Sequence, residues 1–353
     1  MGIPVERTRS PKPHPADADL GFGRHFTDHL FRIDWSEGKG WHAPRVEPYR
    51  PLSIDPAASV LHYGQAIFEG LKAFRHRDGG MRLFRPEANL ARLAASARRL
   101  SMPPPEPGVV LEGIRALLRT DAGWLPESPG TALYVRPVMF ATEAFLGVRP
   151  SKTYTLLVIV SPVGAYFSGG AHALRIWVER ARARAAQGGI GASKAAANYV
   201  ASLLAGEEAK AHGYDQVLWL DAARHADLEE IGTMNVFAKL GATVVTPALE
   251  GTILAGITRD CVITLLRDWN VPVEERRVSL AELERAHAAG ALEELFGTGT
   301  AAVVAPIGEL AWDGRQLVLP APGPQSVGER LRAAVHAIQR GEAPDPHGWL
   351  EPV

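Results

Sequence analysis

The 353-residue chain predicts an α/β protein, with helices and strands mixed in α+β fashion, built as two α/β domains joined by an interdomain loop. Three observations carry this. Short β-branched apolar runs are interspersed with helical patterns from end to end, which argues against a bundle or a sandwich. The length suits one large or two medium domains. A strong apolar run ends in "SPVGAYFSGGA", Ser161 to Ala171, the best internal boundary. Residues 1–163 are expected to form a smaller N-terminal domain, 164–174 the connecting loop, and 175–353 the C-terminal domain.

The elements follow in order. The start, "MGIPVERTRSPKPHPADADLG", lacks the apolar core of a secretory signal, and its prolines and charges predict a loose arm over residues 1–20. Asn89 to Leu100 ("NLARLAASARRL") and Val109 to Leu118 ("VVLEGIRALL") read as helices. "ALYVRPVMF", "YTLLVIV" and "QVLWLD" are β-branched or aromatic apolar runs of buried-strand length. Lys194 to His212, rich in Ala, Leu and Glu, reads as a helix stopped by Gly213. "MNVFAKL" and "ATVVTPAL" flank Gly241 as a hairpin. Ser279 and Glu282 in "SLAELERAH" match a capping box, and "SVGERLRAAVHAIQR" supplies the last helix.

Composition excludes several functions. Lysine and arginine number 38 against 39 acids, so a net charge of −1 gives no general attraction to nucleic acid or acidic membranes. Cys261 is the sole cysteine, which rules out an intrachain disulfide or a cysteine metal cluster and suits a reducing cytoplasm. The longest apolar stretch, "TYTLLVIVSPVGAYF", is broken by Ser161, Pro162 and Gly164 and is too short to span a bilayer. No metal site is expected.

The most informative stretch is "GGIGASKAAANYV", Gly188 to Val200, where three glycines precede a lysine. A phosphate-binding P-loop needs G-x-x-x-x-G-K-S/T. Here Ser193 precedes the lysine and Ala195 stands where the magnesium-binding hydroxyl belongs, so that pattern fails. A dinucleotide turn should follow an early strand; Gly188, Gly189 and Gly191 instead follow an Arg/Ala-rich segment in mid-chain. The remaining chemistry is a Schiff-base lysine, which needs a lowered pKa and space beside it for a bulky aldehyde. Ala192, Ser193 and Ala195 to Ala197 leave that space. The chain has seven lysines, and spacing alone does not single out this one.

Its partners do. "LHYGQAIFEGLKAFR", "ALYVRPV", "SPVGAYFSGG", "SKAAANYVASLLAGEEAKAHGYDQVLWLD", "EEIGTMNVF", "LAGITRD" and "FGTGTAAVV" occur in the order of the motifs of branched-chain amino acid aminotransferases, which the chain resembles from about Phe22 to near its C-terminus. These are fold type IV enzymes dependent on pyridoxal 5'-phosphate. The resemblance implies that Lys194 bonds the cofactor aldehyde and then moves the proton during transfer. It implies that Glu230 pairs with the pyridine nitrogen and Tyr199 with the phenolic oxygen. It places the phosphate on Arg92, Ile257, Thr258, Gly299 and Thr300, within the C-terminal domain apart from Arg92.

For the substrate, the resemblance implies a wall of Phe22, Tyr63, Phe68, Tyr134 and Tyr166. Arg136 would receive the distal carboxylate of glutamate, and Thr233 with the turn Thr300–Ala301 the α-carboxylate. A CxxC pair seen in eukaryotic members is replaced by Ala302 and Ala305. The implied reaction moves the amino group of L-leucine, L-isoleucine or L-valine to 2-oxoglutarate in a cytoplasmic homodimer. The alternatives are a D-amino acid aminotransferase or an aminodeoxychorismate lyase of the same fold.

Overall fold

The computed structural model describes residues 2–164 and 173–353. The chain forms two compact units, one of residues 1–168, 193–197 and 337–353, the other of residues 169–192 and 198–336. Mixed helices and strands run throughout, as the α/β reading expects.

The first unit is built on an eight-stranded sheet in the order Leu350–Pro352, Met81–Phe84, Leu71–Arg75, Ala132–Ala141, Thr153–Val163, His29–Ser36, Gly40–Pro48, with Ala66–Phe68 also paired to Ala132–Ala141. Helices Pro86–Arg99 and Pro107–Thr120 carry the apolar stripes that close its core, including Leu90, Leu93, Ile114 and Leu117. Each opens with proline at its first turn, where no amide hydrogen is needed. Gly113 lets the second helix settle on the sheet, because a Cβ there would lie 2.4 Å from the ring of Phe31.

The N-terminal arm, expected to be loose, is tied down. Its backbone pairs with the sheet through Glu6 N–H to Val46 O and Val46 N–H to Pro4 O, both 2.9 Å. The Thr8 amide donates to His29 Nε2 at 2.8 Å, while His29 Nδ1 meets buried Asp121 at 2.6 Å. The Lys12 ammonium donates to the carbonyls of Phe26 and Thr27. Polar composition predicted looseness, but these long-range hydrogen bonds satisfy the arm's polar groups individually.

In the second unit six strands close into a ring: Leu228–Ile231, Gln216–Leu220, Leu174–Glu179, Val303–Trp312, Leu292–Gly299 and Met234–Leu240, the last pairing back to the first. The expected hairpin around Gly241 is present, Leu240 pairing with Thr243. Ser279 caps helix Leu280–Ala288 by accepting the Glu282 amide at 3.1 Å. The helix expected over residues 194–212 is interrupted: Ala196–Val200 and Leu203–Ala211 are separate. Ser202 Oγ donates to the Tyr199 carbonyl at 2.7 Å, a local bond that competes with the helical ladder. Among the described residues no helix is long and apolar enough to cross a membrane.

Candidate active site

Lys194 belongs to the first unit, where its backbone is fixed on both sides. Its N–H donates to Ser96 Oγ at 3.0 Å, and its carbonyl accepts from Phe68 N–H at 3.0 Å. Ile67 and Ala195 form an isolated β-bridge beside it. The ammonium sits 5.0 Å from the centre of the Phe68 ring. Ser96 lies one helical turn beyond Arg92 on the same face of Pro86–Arg99, so one helix presents both to this region.

A string of side chains leads away from the lysine. Arg136 stacks over Phe68 at 4.7 Å and donates from Nη2 to the Tyr134 hydroxyl at 2.9 Å. Phe22 meets Tyr134 edge-on at 4.9 Å. Strand alternation explains the grouping: Tyr134 and Arg136 are two apart on Ala132–Ala141, and Phe68 pairs with Val138 on that strand. Gly70 is required here, since a Cβ would fall 1.9 Å from the Tyr134 hydroxyl. Thus Phe22, Phe68, Tyr134, Arg136 and Lys194 come together. Tyr63 does not join the string; it is half exposed and donates to the Leu146 carbonyl. Tyr166 lies outside the described residues.

Arg92 is held by a residue the sequence reading did not name. Glu69, fully buried, accepts from its Nε at 2.8 Å and its Nη2 at 2.9 Å. Glu69 lies inside "LHYGQAIFEGLKAFR", but nothing in that stretch marks its pairing with Arg92, and Ser96 carries no motif of its own. The available signal was that a guanidinium on an apolar helix face needs a buried acid.

The second unit assembles another set. Register places Glu230 opposite Asn235, and Asn235 opposite Thr298, making a row across three strands. All three are buried. Asn235 Nδ2 donates to the Leu254 carbonyl at 2.9 Å and lies 3.5 Å from Glu230 Oε1. Its Oδ1 would stand 2.0 Å from a Cβ on Gly256, so only glycine fits between this row and helix Ile257–Asp268. Gly256 leaves the helix without a side-chain cap, and buried Thr258 sits in its first turn.

Thr233 occupies the turn into Met234–Leu240, beside Gly299; Thr300 and Ala301 form the next turn, both half-buried. Tyr199 is half-buried on Ala196–Val200. Glu230 pairs with Arg184, whose side chain is 7% exposed and which comes from the Arg/Ala-rich segment ahead of the three glycines. Glu229, its neighbour, is also buried, and burial pushes its carboxyl above the usual range.

These groups have a consistent chemistry. An uncapped helix start with a buried threonine suits an anion. A buried acid suits a protonated ring nitrogen. The Thr298 hydroxyl is buried without a hydrogen-bond partner among the described residues, as expected where a bound group completes the row. The residues therefore fit a phosphate-bearing pyridine.

Residues 66–310 match the amino-transferase class IV family. Branched-chain-amino-acid aminotransferase 2 of Bacillus subtilis is 47% identical over 351 residues, 99% of this chain and 97% of that one. The chain belongs to the class IV amino-transferases, among the branched-chain-amino-acid aminotransferases. The Mycobacterium tuberculosis branched-chain-amino-acid aminotransferase is 47% identical over 335 residues, covering 94% of this chain and 91% of its own. In three dimensions the Escherichia coli branched-chain amino acid aminotransferase matches with TM-score 0.75 at 28% identity, covering 90% and 98% of the two chains. The T.th. branched-chain amino acid aminotransferase, solved with pyridoxamine 5'-phosphate, matches with TM-score 0.74 at 28% identity over 91% and 98%. The same T.th. enzyme has been solved with N-(5'-phosphopyridoxyl)-L-glutamate and with 4-methylvaleric acid. Membership in this aminotransferase family matches the resemblance read from the motifs.

Proposed function

We propose that this aminotransferase binds pyridoxal 5'-phosphate and reversibly moves the amino group of L-leucine, L-isoleucine or L-valine to 2-oxoglutarate. The observation that carries the reading is Lys194, fixed through both its N–H and its carbonyl with its amine over an aromatic face. The ligands of the T.th. enzyme support it, pairing the cofactor's phosphopyridoxyl group with glutamate and, separately, a six-carbon branched acid.

When bound, the cofactor supplies the carbonyl carbon that takes the amine and a ring that spreads the electron pair left when Cα loses its proton. The protein's own residues do the rest. Lys194, in its unprotonated form, would take the proton from the substrate Cα and deliver it to the cofactor's C4' carbon. The Glu230 carboxylate favours the protonated ring nitrogen, and each unit of raised pyridinium pKa is worth about 1.4 kcal/mol. The amides of Ile257 and Thr258, Gly299 and Thr300, and the Arg92 guanidinium would hold the phosphate, and Tyr199 would donate to the phenolic oxygen.

Phe22, Phe68 and Tyr134 give a branched side chain an apolar wall, as Tyr166 does in the same reading. Arg136, with the Tyr134 hydroxyl it already holds, receives the distal carboxylate of glutamate. Thr233 and the Thr300–Ala301 turn take the α-carboxylate. Leu61, Tyr63, Phe145, Leu146 and Val148 are exposed on the first unit. Apolar residues in such number suit a second copy of the chain, so we assign Tyr63 to a homodimer contact. The cytoplasm is the compartment that the single cysteine suits.

Purified protein supplied with the cofactor should form glutamate from 2-oxoglutarate only when L-leucine, L-isoleucine or L-valine is present. Turnover of D-alanine with none of L-leucine would reject this substrate assignment in favour of a D-amino acid aminotransferase.

A further inference from the structure

Arg184 is buried, its side chain 7% exposed, and it joins three segments of the second unit. Its Nη2 meets Glu230 Oε2 and donates to the Thr252 carbonyl at 2.6 Å and the Gly191 carbonyl at 3.3 Å. Gly191 makes this convergence possible, because a Cβ there would lie 2.3 Å from the Thr252 oxygen and 2.4 Å from Ala185 Cβ. One guanidinium therefore links the loop before Lys194, the strand of Glu230, and the loop that leads to helix Ile257–Asp268.

A structural arginine would need only backbone carbonyls to hold two loops. Arg184 also engages one oxygen of the acid assigned to the ring nitrogen. From this geometry we infer that Arg184 is a positioning residue for the reaction: it fixes the orientation of the Glu230 carboxylate and keeps it ionised. The role rests on the proposed cofactor reading, but the pairing itself is a property of the chain.

The surroundings define what to measure. Glu229 adjoins Glu230 on the same strand, feels the Arg184 charge, and is faced by Asp221; Asn235 and the carbonyls of Thr252 and Gly191 are neutral. Without Arg184, the buried Glu230 carboxylate loses the charge that this guanidinium supplies, so ionising it above the unfolded value of about 4.3 costs more. Stability is then fully retained below that value and lost as pH climbs above it. Glu229 titrates too, so a second background is needed to separate the acids.

The experiment compares thermal midpoints of cofactor-free wild type, Arg184→Gln, Glu230→Gln and the double variant between pH 5 and 8. In a double-mutant cycle, coupled neighbours are non-additive. The Arg184→Gln deficit should widen with pH and shrink in the Glu230→Gln background. In the loaded enzyme Arg184→Gln should shift the pH dependence of the cofactor's visible band and lower kcat for leucine about tenfold, with KM little changed. Arg184→Lys should restore part of both; if Arg184→Gln does not fold, Arg184→Lys carries the cycle with smaller shifts of the same sign. Equal deficits in both backgrounds, or an unaltered band and kcat, would overturn the inference. Failure of wild type to bind the cofactor would instead remove the proposed function and leave the pH-dependent coupling standing.

Discussion

Glu69 and Arg92 meet through two parallel hydrogen bonds of 2.8 and 2.9 Å, with the carboxylate fully buried and the guanidinium nearly so. The pairing fixes the guanidinium that the proposed function assigns to the phosphate. Removing one partner from such a pair strands the other charge, at about 3–5 kcal/mol. Glu69→Gln keeps the shape and one acceptor, so it should sit at the lower end of that range in denaturant unfolding. It should also release the cofactor faster; unchanged stability and retention would show that Arg92 does not depend on Glu69.

Gly256 tests the proposed phosphate site. Its φ of −69° is open to any residue, so a substitution acts through the collision with Asn235 Oδ1 at 2.0 Å and a tighter approach to Arg259 Cβ at 3.3 Å. Gly256→Ala should weaken cofactor binding about tenfold, roughly 1.4 kcal/mol. Trimming Asn235 to alanine in the same protein should recover part of that loss. Equilibrium dialysis against the phosphorylated cofactor gives the comparison.

Tyr134 tests the proposed division of the pocket between the two substrates. Its hydroxyl bonds Arg136, while its ring packs against Phe22. Tyr134→Phe keeps the ring and drops the bond, so KM for 2-oxoglutarate should rise several-fold, at about 1 kcal/mol per lost hydrogen bond. KM for leucine should change little. Equal effects on both would remove Arg136 from the distal-carboxylate role.

Lys72 provides a pH dependence. It is buried, and burial pushes its ammonium down to about 8. The folded pKa is below the unfolded one, so the cost of burying the charge is complete below about pH 8 and vanishes above the ordinary lysine value. The difference of more than two units corresponds to roughly 3 kcal/mol. Lys72→Met should therefore gain stability in urea at pH 7, with the gain fading as pH approaches that of free lysine. An equal gain at both ends would assign it to packing instead.

The fold and the chemistry were legible to different depths. Strands such as "YTLLVIV" and helices such as "VVLEGIRALL" declare themselves because a single buried face sets their period. Lys194 and Glu230 were readable as types in ordered motifs. The residues that hold Arg92, Lys194 and Glu230 in place were not: Glu69, Ser96 and Arg184 reach these partners across 23, 98 and 46 positions of sequence. No local pattern records such pairings. The broken helix at Ser202 and the pinned N-terminal arm were missed for the same reason, since individual hydrogen bonds overrode composition.

Borohydride reduction of the cofactor-loaded protein, followed by peptide mapping, tests the central assignment most directly. The label should lie on Lys194 alone, disappear in Lys194→Ala, and account for the loss of leucine-dependent glutamate formation in that variant. A label on Lys72 or on another side chain, or full turnover by Lys194→Ala, would contradict it.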